Sequence, residues 1–227
     1  MRYGAWAGNR NPWAVLALTA ALALGPVAAR AGQTLVALGD SLTQGYGLPQ
    51  EEGFVPQLEA WLRARGADVR VVNAGVSGDT TAGGLSRLDW TLSEGADAMI
   101  VALGGNDLLR GIDPDVSRAN LDAILAGATG RGVDVLLVPM EAPGNYGPDY
   151  QTRFDAIFPD LSARYGVALG PSFLAPIVKD IEDPAAVRAL MQSDGLHPSA
   201  EGVARIVEAL GPHVLDLLAR AGARAGG

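Results

Sequence analysis

The chain has 227 residues, 48% of them hydrophobic and 19% charged, a balance that suits one globular domain and excludes a disordered or fibrous polymer. Its net charge of −8 argues against a nucleic-acid partner, and the lack of any cysteine removes thiol nucleophiles, disulfides and thiolate metal sites. At the N-terminus, Arg2 and Arg10 precede an apolar run from Trp13 to Leu24, then the breaker Gly25-Pro26 and Ala29-Arg30-Ala31, the pattern of a secretory leader. Cleavage after Ala31 is expected, leaving a leader over 1–31 and a single domain over 32–227. The 17 basic residues then fall to 14 against an unchanged 25 acidic ones, and the net charge moves to −11. The apolar run is well short of the roughly 20 residues that span a bilayer. A mature chain with no stable membrane insertion, in the periplasm or the medium, is the expectation.

Beyond the leader, short apolar runs alternate with longer helical patterns. The runs are Thr34 to Leu38, Val69 to Val72, Ala98 to Leu103 and Val133 to Val138, with a weaker fifth at Val167 to Leu169. Apart from Thr34, Arg70 and Asp134 the runs are continuously apolar, as expected of parallel strands covered on both faces. Between them, Phe54, Leu58, Trp61 and Leu62 share a helix face. Asp113-Pro114 caps and starts a helix carrying Val116, Ala119, Ala123 and Ile124. Val203, Ile206, Val207, Leu210 and Val214 make a last amphipathic stripe, with Gly211-Pro212 as the expected site of a kink. This rhythm predicts a three-layer α/β/α sandwich: one doubly wound, five-stranded parallel sheet in the flavodoxin-like order 2-1-3-4-5. Ligands then bind beyond the carboxyl ends of the strands, where the winding reverses between strands one and three.

Polar residues cluster at those ends. Strand one runs into Gly39-Asp40-Ser41-Leu42-Thr43, strand two into Asn73-Ala74-Gly75-Val76-Ser77-Gly78-Asp79-Thr80, and strand three into Gly104-Gly105-Asn106-Asp107. Asp194-Gly195-Leu196-His197-Pro198 stands just before the final helix, within reach of the same crevice. Together these four segments resemble the sequence blocks of the SGNH/GDSL hydrolases, over nearly the whole mature chain. With Leu108-Leu109-Arg110-Gly111 and Asn145-Tyr146-Gly147 added, they look most like the bacterial periplasmic thioesterase/lysophospholipase and arylesterase members. The resemblance implies the SGNH hydrolase fold and a broad acyl hydrolase that needs no cofactor.

A serine hydroxyl is a poor nucleophile until a base takes its proton. Ser41 therefore needs an imidazole, and the chain offers only His197 and His213. His213 follows Pro212 in the last helix and is read as a packing or solvated residue. His197 follows Asp194 by three residues, close enough for the carboxylate to orient the ring, which makes Ser41, His197 and Asp194 the candidate triad. For the oxyanion, the resemblance implies the backbone N–H of Ser41, the backbone N–H of Gly78 and the side-chain amide of Asn106. Gly75 is the competing glycine and is read mainly as a turn. Asp40 and Asp107 are read as structural carboxylates. The loop Glu141 to Pro148 is expected to cover the crevice, so Asn145 and Tyr146, with Leu42, are the candidate substrate contacts.

The pair Asp194 and His197 lacks further ligands for a metal, and Gly104-Gly105 lacks the spacing of a nucleotide loop. A serine esterase acting on aryl and short- to medium-chain acyl esters through an acyl-enzyme is the leading expectation. The alternatives are an acyl-thioester hydrolase or lysophospholipase, a carbohydrate O-acetylesterase and, outside enzymes, a module binding lipid or acylated glycan.

Overall fold

Five strands build one parallel sheet in the order β2-β1-β3-β4-β5: β1 Gln33–Gly39, β2 Val69–Gly75, β3 Ala98–Ala102, β4 Asp134–Leu137 and β5 Ala168–Leu169. They belong to a computed structural model in which residues 1, 3–4, 32–142, 144–179 and 183–224 are described. The chain divides into two units, Met1–Ala31 and Gly32–Gly227. The leader assigned to the first falls almost wholly outside the described residues, and the sheet with its helices belongs to the second.

The centre of the sheet is apolar because helices cover both of its faces. All five residues of β3 are buried, as are Leu35 to Leu38 of β1, so neither strand shows the alternation of a half-exposed sheet. The Phe54–Ala64 and Ala200–Arg224 helices pack on one another and on the sheet, while Thr81–Ser86 and Ile157–Tyr165 gather around Pro114–Thr129 as the second layer. Phe54, Leu58 and Leu62 are the inward stripe of the first of these helices, with Trp61 at its edge.

Two details depart from the sequence expectations. Strand β2 runs on to Gly75, because Asn73, Ala74 and Gly75 pair in register with Ala37, Leu38 and Gly39. The buried face of Pro114–Thr129 carries Pro114, Ser117, Leu121, Ile124, Leu125 and Ala128, whereas Val116 and Ala119 point to solvent. The stripe is rotated because Ser117, polar but buried, belongs to it through a hydrogen bond to Asp107. The final helix is one 25-residue element that continues through Pro212. Pro212 is exposed, and its neighbour Gly211 lies against the Trp61 ring, so tertiary packing on the first helix holds the segment helical.

Register sets up the site. Gly39 stands opposite both Gly75 and Ala102, so β1, β2 and β3 end at one level. The chain leaves each strand there, and β1 is the strand from which the order proceeds in both directions, the switch point of a doubly wound sheet.

Candidate active site

Ser41 opens the short helix Ser41–Gln44, immediately after β1. Asp40 caps that helix: its Oδ1 accepts the Leu42 N–H at 3.0 Å, and Gly45 closes the turn in the left-handed region at φ 89°. The hydroxyl is thereby held at the edge of the crevice rather than in the sheet. His197 arrives from the other end of the chain. Asp194 Oδ1 accepts the N–H groups of Leu196 at 2.9 Å and His197 at 3.0 Å, a turn that Gly195 permits with φ 64°. This wraps the chain so that Asp194 Oδ2 lies 2.7 Å from His197 Nδ1.

The ionised carboxylate can only accept, so Nδ1 carries the proton and the bare Nε2 faces Ser41 Oγ, 2.9 Å away. Hydrogen bonds from the His197 ring, and then from the His197 and Leu196 N–H groups, hold the Asp194 carboxyl down to about 2. The imidazole itself is buried and lies against Tyr46, with ring centroids 4.7 Å apart. Its loop is tied down by Gln192, whose N–H donates to the His197 carbonyl at 2.7 Å and whose Nε2 donates to the carbonyls of Tyr46 and Pro198.

Asn106 sits in the short helix Gly105–Leu109 after β3. Its Nδ2 donates to the Asp79 carbonyl at 2.9 Å and, more weakly, to Asp40 Oδ2 at 3.3 Å. Asp40 is 2% exposed. Desolvation pushes its carboxyl up to about 6, against the hydrogen bonds from Leu42 and Asn106 that favour the anion. Gly105 lies beneath it, and a Cβ there would make a tight contact at 3.1 Å from Asp40 Oδ2.

Gly78 turns the 76–80 loop with φ 84° and is exposed to the cavity. Gly75 is a strand residue packed so tightly that an added Cβ would meet Gln44 N at 2.3 Å, and it does not line the cavity. The two glycines therefore differ in place: one shapes the crevice, the other lets the Ser41 helix rest on β2.

Ser41, Leu42, Gly78, Asn106, Asn145, Tyr146 and His197 all line one cavity of about 650 Å³, with Asp194 behind His197. Its apolar wall comes chiefly from Met140, Leu174 and Val178, which the sequence reading did not single out, together with Leu108 of the third block. Asn145 and Tyr146 stand on the short turn Gly144–Tyr146; Pro143 of that loop lies outside the described residues. Asp107 is fully buried, taking hydrogen bonds from Thr81 N–H, Thr81 Oγ1 and Ser117 Oγ, the structural use expected of it. His213 is exposed on the last helix. Among the described residues no three His, Asp or Glu side chains converge as a metal site, and no helix is long and apolar enough to cross a membrane.

The model of the GDSL-like lipase/acylhydrolase family matches residues 37–205, from the end of β1 into the final helix. The chain belongs to that family. Esterase TesA of Pseudomonas aeruginosa is 40% identical over 83% of this chain and 90% of its own length. An arylesterase of Vibrio mimicus is 37% identical over 80% of this chain and 88% of its own. A crystal structure of TesA superposes with a TM-score of 0.73 at 38% identity, covering 82% of this chain and 99% of the other. This GDSL acylhydrolase is thus an enzyme, a carboxylic ester hydrolase with the SGNH fold.

Tyr46, Gln192 and the apolar wall are the site residues that sequence reasoning misses. Tyr46 carries a weak signal as the first aromatic after the Ser41 turn. The others carry none, because each reaches the site through a long-range fold contact.

Proposed function

We propose that Ser41 is the nucleophile of an esterase acting on aryl and short- to medium-chain acyl esters, with His197 as base and Asp194 as its orienting carboxylate. The observation that carries this reading is the hydrogen-bonded series Asp194, His197 and Ser41, opening onto an apolar cavity. Nε2 takes the hydroxyl proton as Oγ attacks the ester carbonyl. The negative charge that develops on the carbonyl oxygen is received by the N–H groups of Ser41 and Gly78 and by Asn106 Nδ2, whose long bond to Asp40 is the one an incoming oxygen replaces. His197 then returns the proton to the leaving alcohol. Water, activated by the same nitrogen, cleaves the acyl-enzyme.

Leu42, Asn145 and Tyr146 contact the substrate at the mouth of the cavity. A second reading, acyl-thioester or lysophospholipid hydrolysis, is favoured by the apolar wall at Leu174 and Val178, which lengthens the surface available to an acyl chain. The enzyme is exported: residues 1–31 form a leader removed after Ala31, and 32–227 are the hydrolase domain. The boundary of the compact unit at Gly32 and the start of the family match at residue 37 agree with that division.

The test is hydrolysis of p-nitrophenyl esters from acetate to palmitate, beside an acyl-CoA, by chain 32–227 and its Ser41→Ala variant. Activity that falls steeply with acyl length and disappears in the variant supports the arylesterase reading. Retained long-chain or CoA activity moves the assignment to the second reading. Unchanged turnover in Ser41→Ala refutes the nucleophile.

A further inference from the structure

Arg87 lies outside the cavity, beneath the loops that form it. Its side chain is 17% exposed, and its guanidinium makes three contacts to three different segments. Nη2 donates to the Gly39 carbonyl at 2.9 Å, Nη1 to the Ala74 carbonyl at 2.7 Å and Nε to Asp79 Oδ2 at 2.7 Å. Gly39 is the last residue of β1, two before Ser41. Ala74 is at the end of β2, four before Gly78, and Asp79 directly follows Gly78. The Asp79 carbonyl also accepts the Asn106 amide at 2.9 Å. One planar group thus grips the chain near Ser41 and on both sides of Gly78, and through Asp79 it holds the residue whose carbonyl accepts the Asn106 amide.

We infer that Arg87 is a positioning residue for the oxyanion hole: it fixes the separation of the Ser41 and Gly78 N–H groups and, through Asp79, the placement of Asn106. The inference rests on the esterase reading. Other side chains also hold this loop, Arg110 on the Gly78 carbonyl at 2.8 Å, Asp107 on Thr81 and Gln44, whose Oε1 accepts the Ser77 hydroxyl at 3.0 Å, but none of these three is hydrogen-bonded to β1. Among these four side chains, Arg87 alone bridges the loop to the strand that delivers Ser41.

Its chemistry suits the task. The guanidinium presents donors in a rigid fork, so three acceptors on different segments are held at fixed angles, whereas a lysine offers one mobile ammonium. Its charge is met by Asp79 in a mostly buried setting, which holds Asp79, and with it the loop, against the sheet. Donors aimed at a developing oxyanion lose their value steeply with displacement. A shift of about 1 Å costs on the order of 10²-fold in rate.

The experiment compares wild type with Arg87→Gln and Arg87→Lys in chain 32–227. Readouts are kcat and KM on a p-nitrophenyl ester and the melting temperature. Affinity is measured for two probes: an alkylboronic acid, which becomes tetrahedral on Ser41, and the n-alkanol of the same length, which fills the cavity without an oxyanion. The expected result is a fall in kcat of roughly 10²-fold in Arg87→Gln with KM changed by less than about 3-fold. Boronic-acid affinity falls alongside kcat, alkanol affinity is kept, and Arg87→Lys recovers only a minor part.

Unchanged kcat, or a proportional loss of affinity for both probes, overturns the inference and leaves Arg87 a general structural residue. If Arg87→Gln does not fold, Asp79→Asn, which keeps an acceptor but removes the charge, is judged by the same criteria. Activity surviving in Ser41→Ala would instead refute Ser41 as the nucleophile, the part of the esterase reading on which the inference rests, which keeps the two failures apart.

Discussion

Asp40 carries a carboxyl pushed up to about 6 by its burial beside Ser41. Because the folded value lies above the unfolded one of 3.8, the fold binds this proton more tightly than the open chain does. The stability this contributes is complete below about pH 4 and is lost as pH rises through 6, a difference on the order of 3 kcal/mol. Asp40→Asn removes the penalty at high pH while still accepting the Leu42 N–H. Urea unfolding should therefore find the variant more stable than wild type at pH 8, by up to about 3 kcal/mol, with the advantage gone at pH 4. Its new amide would face the Asn106 amide, donor against donor, so kcat should fall roughly tenfold through the disturbed oxyanion hole. An advantage that does not vary with pH would refute the account. Asp194 behaves oppositely. Held down to about 2, it is anionic at any pH where the enzyme would be assayed, so its contribution to stability is lost only as pH falls through that value.

Between residues and the whole lie the strand ends and the helices seated on them. The Ser41–Gln44 helix rests on β2 at Gly75, where a Cβ would meet backbone atoms of Gln44 at 2.3 Å and 2.8 Å and of Asp40 at 2.9 Å. These are main-chain contacts that no rotamer can relieve, so Gly75→Ala must displace the helix that bears Ser41. At Gly211 the obstacle is instead the Trp61 ring, 2.5 Å from where a Cβ would stand, between the last helix and the Phe54–Ala64 helix. The two alanine variants should separate packing from chemistry. Each should lose about 1–3 kcal/mol in urea unfolding through overpacking. Only Gly75→Ala should also lower kcat, by about tenfold or more at the scale set by a misplacement of about 1 Å. Equal activity in the two variants would mean that the seat of the Ser41 helix does not govern its hydroxyl.

At the scale of the molecule, the compact unit Gly32–Gly227 holds the sheet, both helix layers and every residue of the site. Chain 32–227 should accordingly melt cooperatively and match the kcat of material processed in an exporting bacterium, whose N-terminus by mass spectrometry should be Gly32. A mature N-terminus elsewhere would displace the cleavage site, and an insoluble 32–227 would show that earlier residues are needed for folding. The strand order and the residues of the candidate triad are legible in the sequence because their signals are local. Continuous apolar runs mark buried strands, Asp194 and His197 meet within one turn, and Asp40-Ser41 follows a strand directly. The helix face at Val116 is misread from the pattern because only apolar residues count in it, while the fold buries Ser117 to satisfy Asp107. Helix through Pro212 is legible in the stripe from Val203 to Val214, while the packing of Gly211 on Trp61 that offsets proline's propensity cost is not. Which residues are the candidates for the chemistry, and which strand ends present them, is thus written in the order of amino acids. What surrounds them was left to the tertiary structure, from Tyr46 against His197 to the apolar wall and the grip of Arg87 on three strand-end segments. The reason is separation along the chain: such contacts join segments far apart in sequence, and sheet register and helix packing set them.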